Sequence, residues 1–348
     1  MIDWIVAEWI AARVAGTAPI DAVAAIDLAP LAAMSEERVI AYTGLQPVAP
    51  LPPPEGIDRR EWVATNISAA RALMDPVIER STAKLGKMKP AAQLTAGFAV
   101  SGEIGMLIGY LGQRVLGQYE LVLLDEPVLE RPPRLLFVLP NLAKAIATFD
   151  ADPDEFVTWV ALHEVTHAVQ FGGVPWLRRY LAGLVGELTA NAEQRLDTKA
   201  TSLPSRAELG RRVRALLRGD LIGVVASESE RALIDRMQAV MAVIEGHAEH
   251  VMDAVAPDLL PSLDTLRAAL NARRRTQSLV SKLIAKLLGL EMKMRQYEQG
   301  KRFCDAVVAA AGPAALTAVF ASPEALPTLA EINDPAAWLT RSGHPVLV

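Results

Sequence analysis

Residues 160–169 read Val-Ala-Leu-His-Glu-Val-Thr-His-Ala-Val, and the interpretation of the whole chain depends on this stretch. His163 and His167 are four positions apart, so on a helix they lie one turn apart on the same face. Two neutral imidazoles in that arrangement can supply two ligands of a tetrahedral zinc ion. Glu164 lies about 100° further around the helix, where its carboxylate can reach a water beside the metal. The stretch therefore predicts a helix that carries part of a zinc site.

The residues around the two histidines are those of a helix buried under a cleft. Glu164 is the only charged residue between Val160 and Val169, and the whole chain contains only five histidines. A core helix with two incidental histidines would have to bury an unpaired carboxylate, which is costly. The pattern is instead the His-Glu-x-x-His signature of zinc metallohydrolases, in which the glutamate acts as general base.

A catalytic zinc site needs a third protein ligand, and residues 244–253 are the segment that offers one. Two further histidines and three acidic residues occur there at helical spacing, among apolar side chains. Such clustering is costly unless a cation lies nearby. From these residues alone, Glu245, Glu249 and His250 are all candidates, and those that do not bind would orient a ligand.

Composition restricts the class of protein. The chain has 348 residues, of which 51% are hydrophobic and 22% charged, enough for one large domain or two ordinary ones. A net charge of −5 argues against nucleic acid as a partner. The single cysteine, Cys304, excludes an internal disulfide and indicates a reducing compartment, the cytoplasm. Acidic residues near the N-terminus argue against a signal peptide.

The most membrane-like stretch runs from Leu94 to Leu111, about eighteen residues, which is the lower limit for a membrane span. Glu103 lies in its middle, and several glycines interrupt it. These features favour a buried helix that its neighbours approach closely. We therefore expect no membrane segment, while the apolar content leaves room for a homodimer.

Most of the chain has helical periodicity, and only residues 119–124 and 134–140 predict strands. We expect a small sheet beside the motif helix, whose second strand either binds an extended substrate at its edge or forms a plain hairpin. Five prolines in residues 47–54 predict a loop. The predicted fold is mainly α (α+β), with an N-terminal helical segment 1–47 packed on a main domain 55–348, or one single domain 1–348.

Several element boundaries are also predicted. Asp152 followed by Pro153 begins the motif helix, and Gly172-Gly173 ends it. Residues 19–45 predict two short helices, the second beginning at Ser35. Residues 326–338 predict an irregular tail anchored by apolar side chains. Further helices are predicted at 175–198, 204–218, 227–255, 262–289, 291–311 and 313–320.

The chain resembles an uncharacterised family of bacterial zincin-like proteins. The resemblance rests on His163-Glu-Val-Thr-His167, Glu245-Gly-His-Ala-Glu-His250 and Gln296-Tyr-Glu-Gln-Gly-Lys301, and it extends to residues 326–338. Members are described as zinc-dependent metalloproteases or hydrolases, and some are associated by name with the biosynthesis of a deazaflavin coenzyme. The resemblance implies a mostly helical zincin-like fold and a zinc site, and nothing in these residues supports the coenzyme.

Gluzincins, the zincins whose third zinc ligand is a glutamate, often place it in a Glu-Gly-x-Ala context on a second helix. Residues 245–248, Glu-Gly-His-Ala, are similar to that pattern, so the resemblance implies Glu245 as the ligand, with Glu249 and His250 as alternatives. Glu187 lies at a spacing from His167 close to the short gluzincin arrangement. Glu187 lacks the glycine and the other residues of the Glu-Gly-x-Ala context, and we interpret it as an ordinary helix glutamate.

The predicted function is zinc-dependent hydrolysis of a peptide or amide bond, with Glu164 as general base toward a Zn²⁺-activated water. Gluzincins often use a Tyr or His as a second donor to the developing oxyanion, and Tyr297, His250 and His247 are the candidates here. One alternative is a hydrolase of a small-molecule amide or ester. Another is a zincin-derived binding or structural protein without catalysis, against which the intact Glu164 argues. We interpret His344 as a surface residue.

Overall fold

The computed structural model describes residues 2–82, 90–120, 132–199, 228–268 and 290–344. Within these ranges the chain is mainly helical with one small sheet, which confirms the predicted fold class. The strands are β1 (Pro54–Ile57), β2 (Gly117–Tyr119) and β3 (Leu135–Val138). The helices are α1 (Trp4–Ala15), α2 (Leu28–Thr43), α3 (Arg59–Thr82), α4 (Pro90–Gly112), α5 (Leu139–Phe149), α6 (Pro153–Gly173), α7 (Pro175–Lys199), α8 (Glu228–Val255), α9 (Leu290–Ala311), α10 (Pro313–Ala318), α11 (Leu329–Asn333) and α12 (Pro335–Arg341).

Some predicted elements cannot be compared with these bounds. The helix predicted at 204–218 lies outside the described residues, as do residues 121–124 of the first predicted strand. The helix predicted at 262–289 is described only over its first turns, where residues 263–268 are helical.

The three strands form a mixed sheet with β3 in the middle. Strand β1 is parallel to β3 and pairs Pro54 with Leu135, whereas β2 is antiparallel and pairs Gly117 with Phe137. The predicted strand within 134–140 is confirmed, but its role as a substrate-binding edge is wrong, because both of its sides are paired. Strand β1 was not predicted, since a short Pro-Glu-Gly-Ile run has the composition of a turn.

Strand β3 separates two apolar clusters of the described chain. Leu135 and Phe137 pack into the cluster that contains residues of α2, α6, α8 and α9. Leu136 and Val138, on the opposite face, pack into the cluster built by α1, α3 and α4. The two N-terminal helices therefore contribute to different clusters, and the predicted division of the chain at residues 47–54 stays a prediction.

Helices α1 and α4 pack against each other through small residues. A Cβ atom added to Gly105 would lie 2.6 Å from Ala7 O, and one added to Gly109 would lie 2.6 Å from Ala11 O. Gly105 and Gly109 thus allow close helix packing, as predicted, but the prediction of a buried helix is wrong, because Phe98 and Met106 are 60% and 58% exposed. Among the described residues, no helix combines the length and the apolar character that crossing a membrane requires.

A buried arginine connects the ends of these helices to the rest of the fold. Arg59, which is 6% exposed, donates from Nε to Asn141 Oδ1 at 2.7 Å and from Nη1 to Ala15 O at 3.2 Å. Asn141 Nδ2 in turn donates to Gly112 O and Val115 O. A cation near helix C-termini is favourable, because the carbonyl groups there carry partial negative charge.

The region 19–45 contains one helix with a turn before it, so the prediction of two helices is wrong. Asp27 is the N-cap of α2, and its side chain accepts a hydrogen bond from Ala29 N at 3.1 Å. Ser35 lies inside the helix, where its buried hydroxyl donates to Leu31 O at 2.7 Å. A serine bonded to the preceding turn remains within a helix and does not begin one.

The tail at 326–338 is anchored as predicted, but it is not irregular. Thr328 and Glu331 form a capping box that begins α11, and Asp334 is the N-cap of α12. Trp338 is fully buried, packs edge-on against Phe303 with ring centres 5.6 Å apart, and donates its indole N–H to a backbone carbonyl.

Candidate metal centre

Helix α6 begins and ends where the sequence predicts. Asp152 accepts a hydrogen bond from Glu155 N at 2.9 Å, and Pro153 is the first helical residue. The helix ends at these glycines for a different reason than predicted. Neither Gly172 nor Gly173 adopts the left-handed backbone conformation of a C-cap glycine. A Cβ atom at Gly172 would lie 3.1 Å from Pro47 Cβ, and one at Gly173 would lie 3.3 Å from the backbone of Gln46. The glycines make room for the proline-rich loop.

Three possible metal ligands from two helices meet at one point. The Nε2 atoms of His163 and His167 on α6 are 3.3 Å apart. Glu245 Oε2 on α8 lies 3.8 Å from the first of these nitrogens and 3.6 Å from the second. Ligand atoms bonded tetrahedrally to zinc at about 2.0–2.1 Å are about 3.4 Å apart. Among the described residues, this is the group that could hold a metal ion, and its donors suit zinc.

The charges of this cluster also favour a bound cation. Burial and the neighbouring His167 lower the pKa of His163 to about 4. Burial also acts to lower the pKa of His167, but the hydrogen bond to Glu245 and the carboxylate charges nearby raise it to about 9. One proton therefore resides in the cluster near neutral pH. A metal ion would supply the positive charge in its place and release that proton.

Glu164 is held beside the cluster by strand β2. The side chain is 8% exposed, and its Oε2 accepts a hydrogen bond from Tyr119 N at 3.1 Å. Burial raises the pKa of Glu164 to about 7, and this increase outweighs the lowering effects of His167 and of the Tyr119 hydrogen bond. Gly117 allows the strand to come this close, because a Cβ atom there would lie 2.6 Å from Glu164 Cγ. The sheet flanks the motif helix, as predicted.

His250, predicted as an alternative ligand or an oxyanion donor, is directed away from the cluster. Its Nε2 lies 2.7 Å from Tyr42 Oη, and its Nδ1 lies 2.7 Å from Asp305 Oδ1. The physical reason is rotation around α8: five residues correspond to about 140° from Glu245. Glu249 is half-buried on the same helix and is not part of the cluster.

The sequence also singled out Glu187, Tyr297 and His344. Glu187 is exposed on α7, in agreement with its interpretation as an ordinary helix glutamate. Tyr297 lies on α9, but its side chain is outside the part of the chain that the structure describes. His344 is half-buried and stacks on Trp338 with ring centres 5.7 Å apart, so it is not a plain surface residue.

The sequence interpretation missed Gln170, which is fully buried three residues after His167. Its Oε1 lies 3.0 Å from His167 Nδ1, and its Nε2 lies 3.0 Å from Ile244 O and 2.8 Å from His247 Nδ1. His247, predicted as a possible oxyanion donor, is occupied by this contact, and burial lowers its pKa to about 3. The sequence feature that could have identified Gln170 is its position, one turn after the predicted ligand His167 on the same helix.

Comparison with known proteins identifies the family. A model of zincin-like metallopeptidases matches residues 2–339. The chain belongs to this family. The crystal structure of a protein from Chloroflexus aurantiacus, described as a candidate hydrolase with a novel fold, is similar over 99% of both chains, with a TM-score of 0.69 and 30% sequence identity. The search of curated proteins gave no match.

Family membership makes a hydrolase the expected class of enzyme and implies a metal, usually zinc. The cluster of His163, His167 and Glu245 fits that expectation on its own chemistry, because it offers two imidazole nitrogens and one carboxylate oxygen. Such a set leaves a fourth position for water or substrate, as catalytic zinc sites do.

Proposed function

We propose that this protein is a zinc-dependent hydrolase that cleaves peptide or amide bonds. His163, His167 and Glu245 would hold the ion, and Glu164 would act as general base. The observation that carries the proposal is the position of Glu164, a buried carboxylate fixed by Tyr119 N at the edge of the ligand cluster. A structural glutamate would have no reason to be buried there at the cost of its hydration.

Zinc at this site would supply Lewis acidity toward a water and a substrate carbonyl. The pKa of Glu164, raised to about 7, suits a residue that first accepts a proton and then donates it to the leaving nitrogen. The hydrogen bond from Tyr119 N to Oε2 fixes the carboxylate and leaves Oε1 for the proton transfer.

Strand β2 supports a peptide as substrate. Within the described sheet it is paired only with β3, and Glu120 N continues this pairing by donating to Arg134 O. Peptide groups alternate in direction along a strand, so the N–H of Tyr119 points away from β3, toward Glu164. Glu164 already accepts from this N–H, so an extended substrate beside the edge would have its backbone next to the general base without pairing with Tyr119 N.

The test is zinc content and hydrolysis of a broad peptide library, measured on the full chain and on four variants. We expect His163→Ala and Glu245→Ala to weaken zinc binding and abolish hydrolysis. Glu164→Gln should retain one zinc ion per chain and lose activity, because the residue is not a ligand. Glu249→Gln, one turn from Glu245, is the matched control and should retain both properties.

Some outcomes would refute parts of the proposal. A wild-type protein that binds no zinc would exclude the catalytic mechanism. Zinc bound without hydrolysis of any peptide, but with hydrolysis of small amides or esters, would change the substrate class. Equal activity of Glu164→Gln and wild type would remove the assigned base.

A further inference from the structure

Gln170 joins the two helices that carry the proposed metal ligands. It lies on α6, and its amide contacts His167 on its own helix and both Ile244 and His247 on α8. Gln170 and His247 have essentially no exposed surface, so water does not replace these contacts. The amide therefore bridges one ligand, His167, to the helix segment that presents another.

The direction of each hydrogen bond follows from Ile244 O, which can only be an acceptor. Ile244 O is a backbone carbonyl and can only accept, so the amide NH₂ of Gln170 must point toward it. The second hydrogen of that NH₂ points to His247 Nδ1, which must accept and therefore carries no proton. Oε1 then faces His167, whose Nδ1 must carry a proton and donate. Nε2 is then the nitrogen of His167 that faces His163 and Glu245 and that would bind a metal ion once it is deprotonated.

We infer that Gln170 is a positioning residue that holds His167 in the metal-binding tautomer, with its own orientation fixed from α8 by Ile244 O and His247. The inference rests on the proposed metal site and adds to it a residue that does not touch the metal. An alternative role is purely structural, in which the amide only joins α6 to α8.

Two substitutions at Gln170 separate the roles. Gln170→Met keeps the approximate shape but can neither accept from His167 nor donate to Ile244 O. Gln170→Glu keeps an acceptor for His167 Nδ1–H but loses both donors to α8. A positioning role predicts that only the methionine variant weakens zinc binding, whereas both variants lower the melting temperature of the zinc-free protein.

The measurement is zinc affinity by competition with a chromophoric chelator, using the full chain. We expect Gln170→Met to bind zinc about 10–100-fold more weakly and Gln170→Glu to remain within about threefold of wild type. In ¹H–¹⁵N spectra of zinc-loaded protein labelled at histidine, the His167 Nδ1–H proton should be visible in wild type and Gln170→Glu and lost in Gln170→Met. The spectral readout does not depend on activity.

Asn141→Leu is the matched control, because Asn141 is another buried amide that bridges helices. It should lower stability without changing zinc affinity. Wild-type zinc affinity in Gln170→Met, or an equal loss in both Gln170 variants, would overturn the inference while the proposed function stands. Absence of zinc binding in the wild type would overturn the proposed function and this inference together.

Discussion

Gly117 and Glu164 are in direct contact, and a Cβ atom added to Gly117 would lie 2.6 Å from Glu164 Cγ and 3.1 Å from its Oε1. We predict that Gly117→Ala displaces the carboxylate and lowers kcat by about 10–100-fold, because small misplacements of a catalytic group are costly. Zinc content should stay at the wild-type value, since Glu164 is not a ligand. Peptide hydrolysis and metal analysis on the same sample check both statements.

A matched glycine substitution on α7 controls for the added methyl group. Among the described residues, no atom beyond the neighbouring backbone of its own helix lies within 4 Å of the position that a Cβ atom on Gly183 would take, so Gly183→Ala should keep the wild-type kcat. It should also raise stability slightly, by up to about 1 kcal/mol, because alanine is the better helix former. An unchanged kcat in Gly117→Ala would contradict the role given to the contact.

The crossing of α8 and α9 requires glycine on both helices. A Cβ atom at Gly300 would lie 1.8 Å from Ala242 O, and one at Gly246 would lie 2.2 Å from the carbonyl carbon of Gly300. We expect Gly300→Ala to lower the free energy of unfolding by at least about 3 kcal/mol, because the helices must separate. Urea denaturation would measure this. A loss below about 1 kcal/mol would show that the crossing can adjust.

Trp338 should be the strongest anchor of the C-terminal segment. Its ring is fully buried and its indole N–H donates to Ala325 O at 2.7 Å. We expect Trp338→Ala to cost about 3–5 kcal/mol in unfolding free energy. Trp9 is 61% exposed, and Trp9→Ala should cost no more than about 0.5 kcal/mol. Comparable losses in the two variants would contradict this interpretation of the tail.

Asp305 should make the free energy of unfolding depend on pH in the acidic range. Burial acts to raise the pKa of Asp305, but hydrogen bonds from His250 and Lys301 outweigh it and hold the pKa below the ordinary value of 3.8. A carboxylate with a lower pKa in the folded state stabilises the fold above about pH 4, and this contribution is lost as the pH falls further.

The corresponding experiment is urea denaturation of wild type and Asp305→Asn between pH 6 and pH 3. The wild type should be more stable by about 1 kcal/mol at pH 6, a modest value because the carboxylate is 44% exposed. The difference should close below about pH 4. A stability difference between the two proteins that persists or grows as the pH falls would contradict the prediction. Asp235→Asn, at an exposed position of α8, is the control for the loss of one carboxylate charge.

The parts of the site that follow local rules could be predicted from the sequence. Asp152 and Pro153 begin α6 through capping, and the spacing of His163 and His167 puts them on one face. The candidates for a third ligand could be limited to the segment 244–253, and only the resemblance to gluzincins favoured Glu245 within it. Helical spacing does not give the rotation of α8 relative to α6, so it could not predict that His250 contacts Tyr42 and Asp305.

Other features depend on contacts between distant segments, which local patterns do not contain. Pro54-Glu-Gly-Ile becomes a strand only because β3 pairs with it, and its composition alone predicts a turn. Gly300 belongs to one of the segments that carry the family resemblance, but its contact with Ala242 appears only when α8 and α9 cross. Gln170 likewise acquires partners only from α8.

The ligand cluster also has a consequence for the stability of the whole chain. His167 and Glu245 are separated by roughly eighty residues, so an ion bound to both would act as a cross-link that closes a long loop. A disulfide closing a loop of this size removes enough freedom from the unfolded chain to add about 4–5 kcal/mol, but a chain with one cysteine cannot form one. Zinc would serve that purpose reversibly, and a chelator would then loosen the fold as it removes the metal.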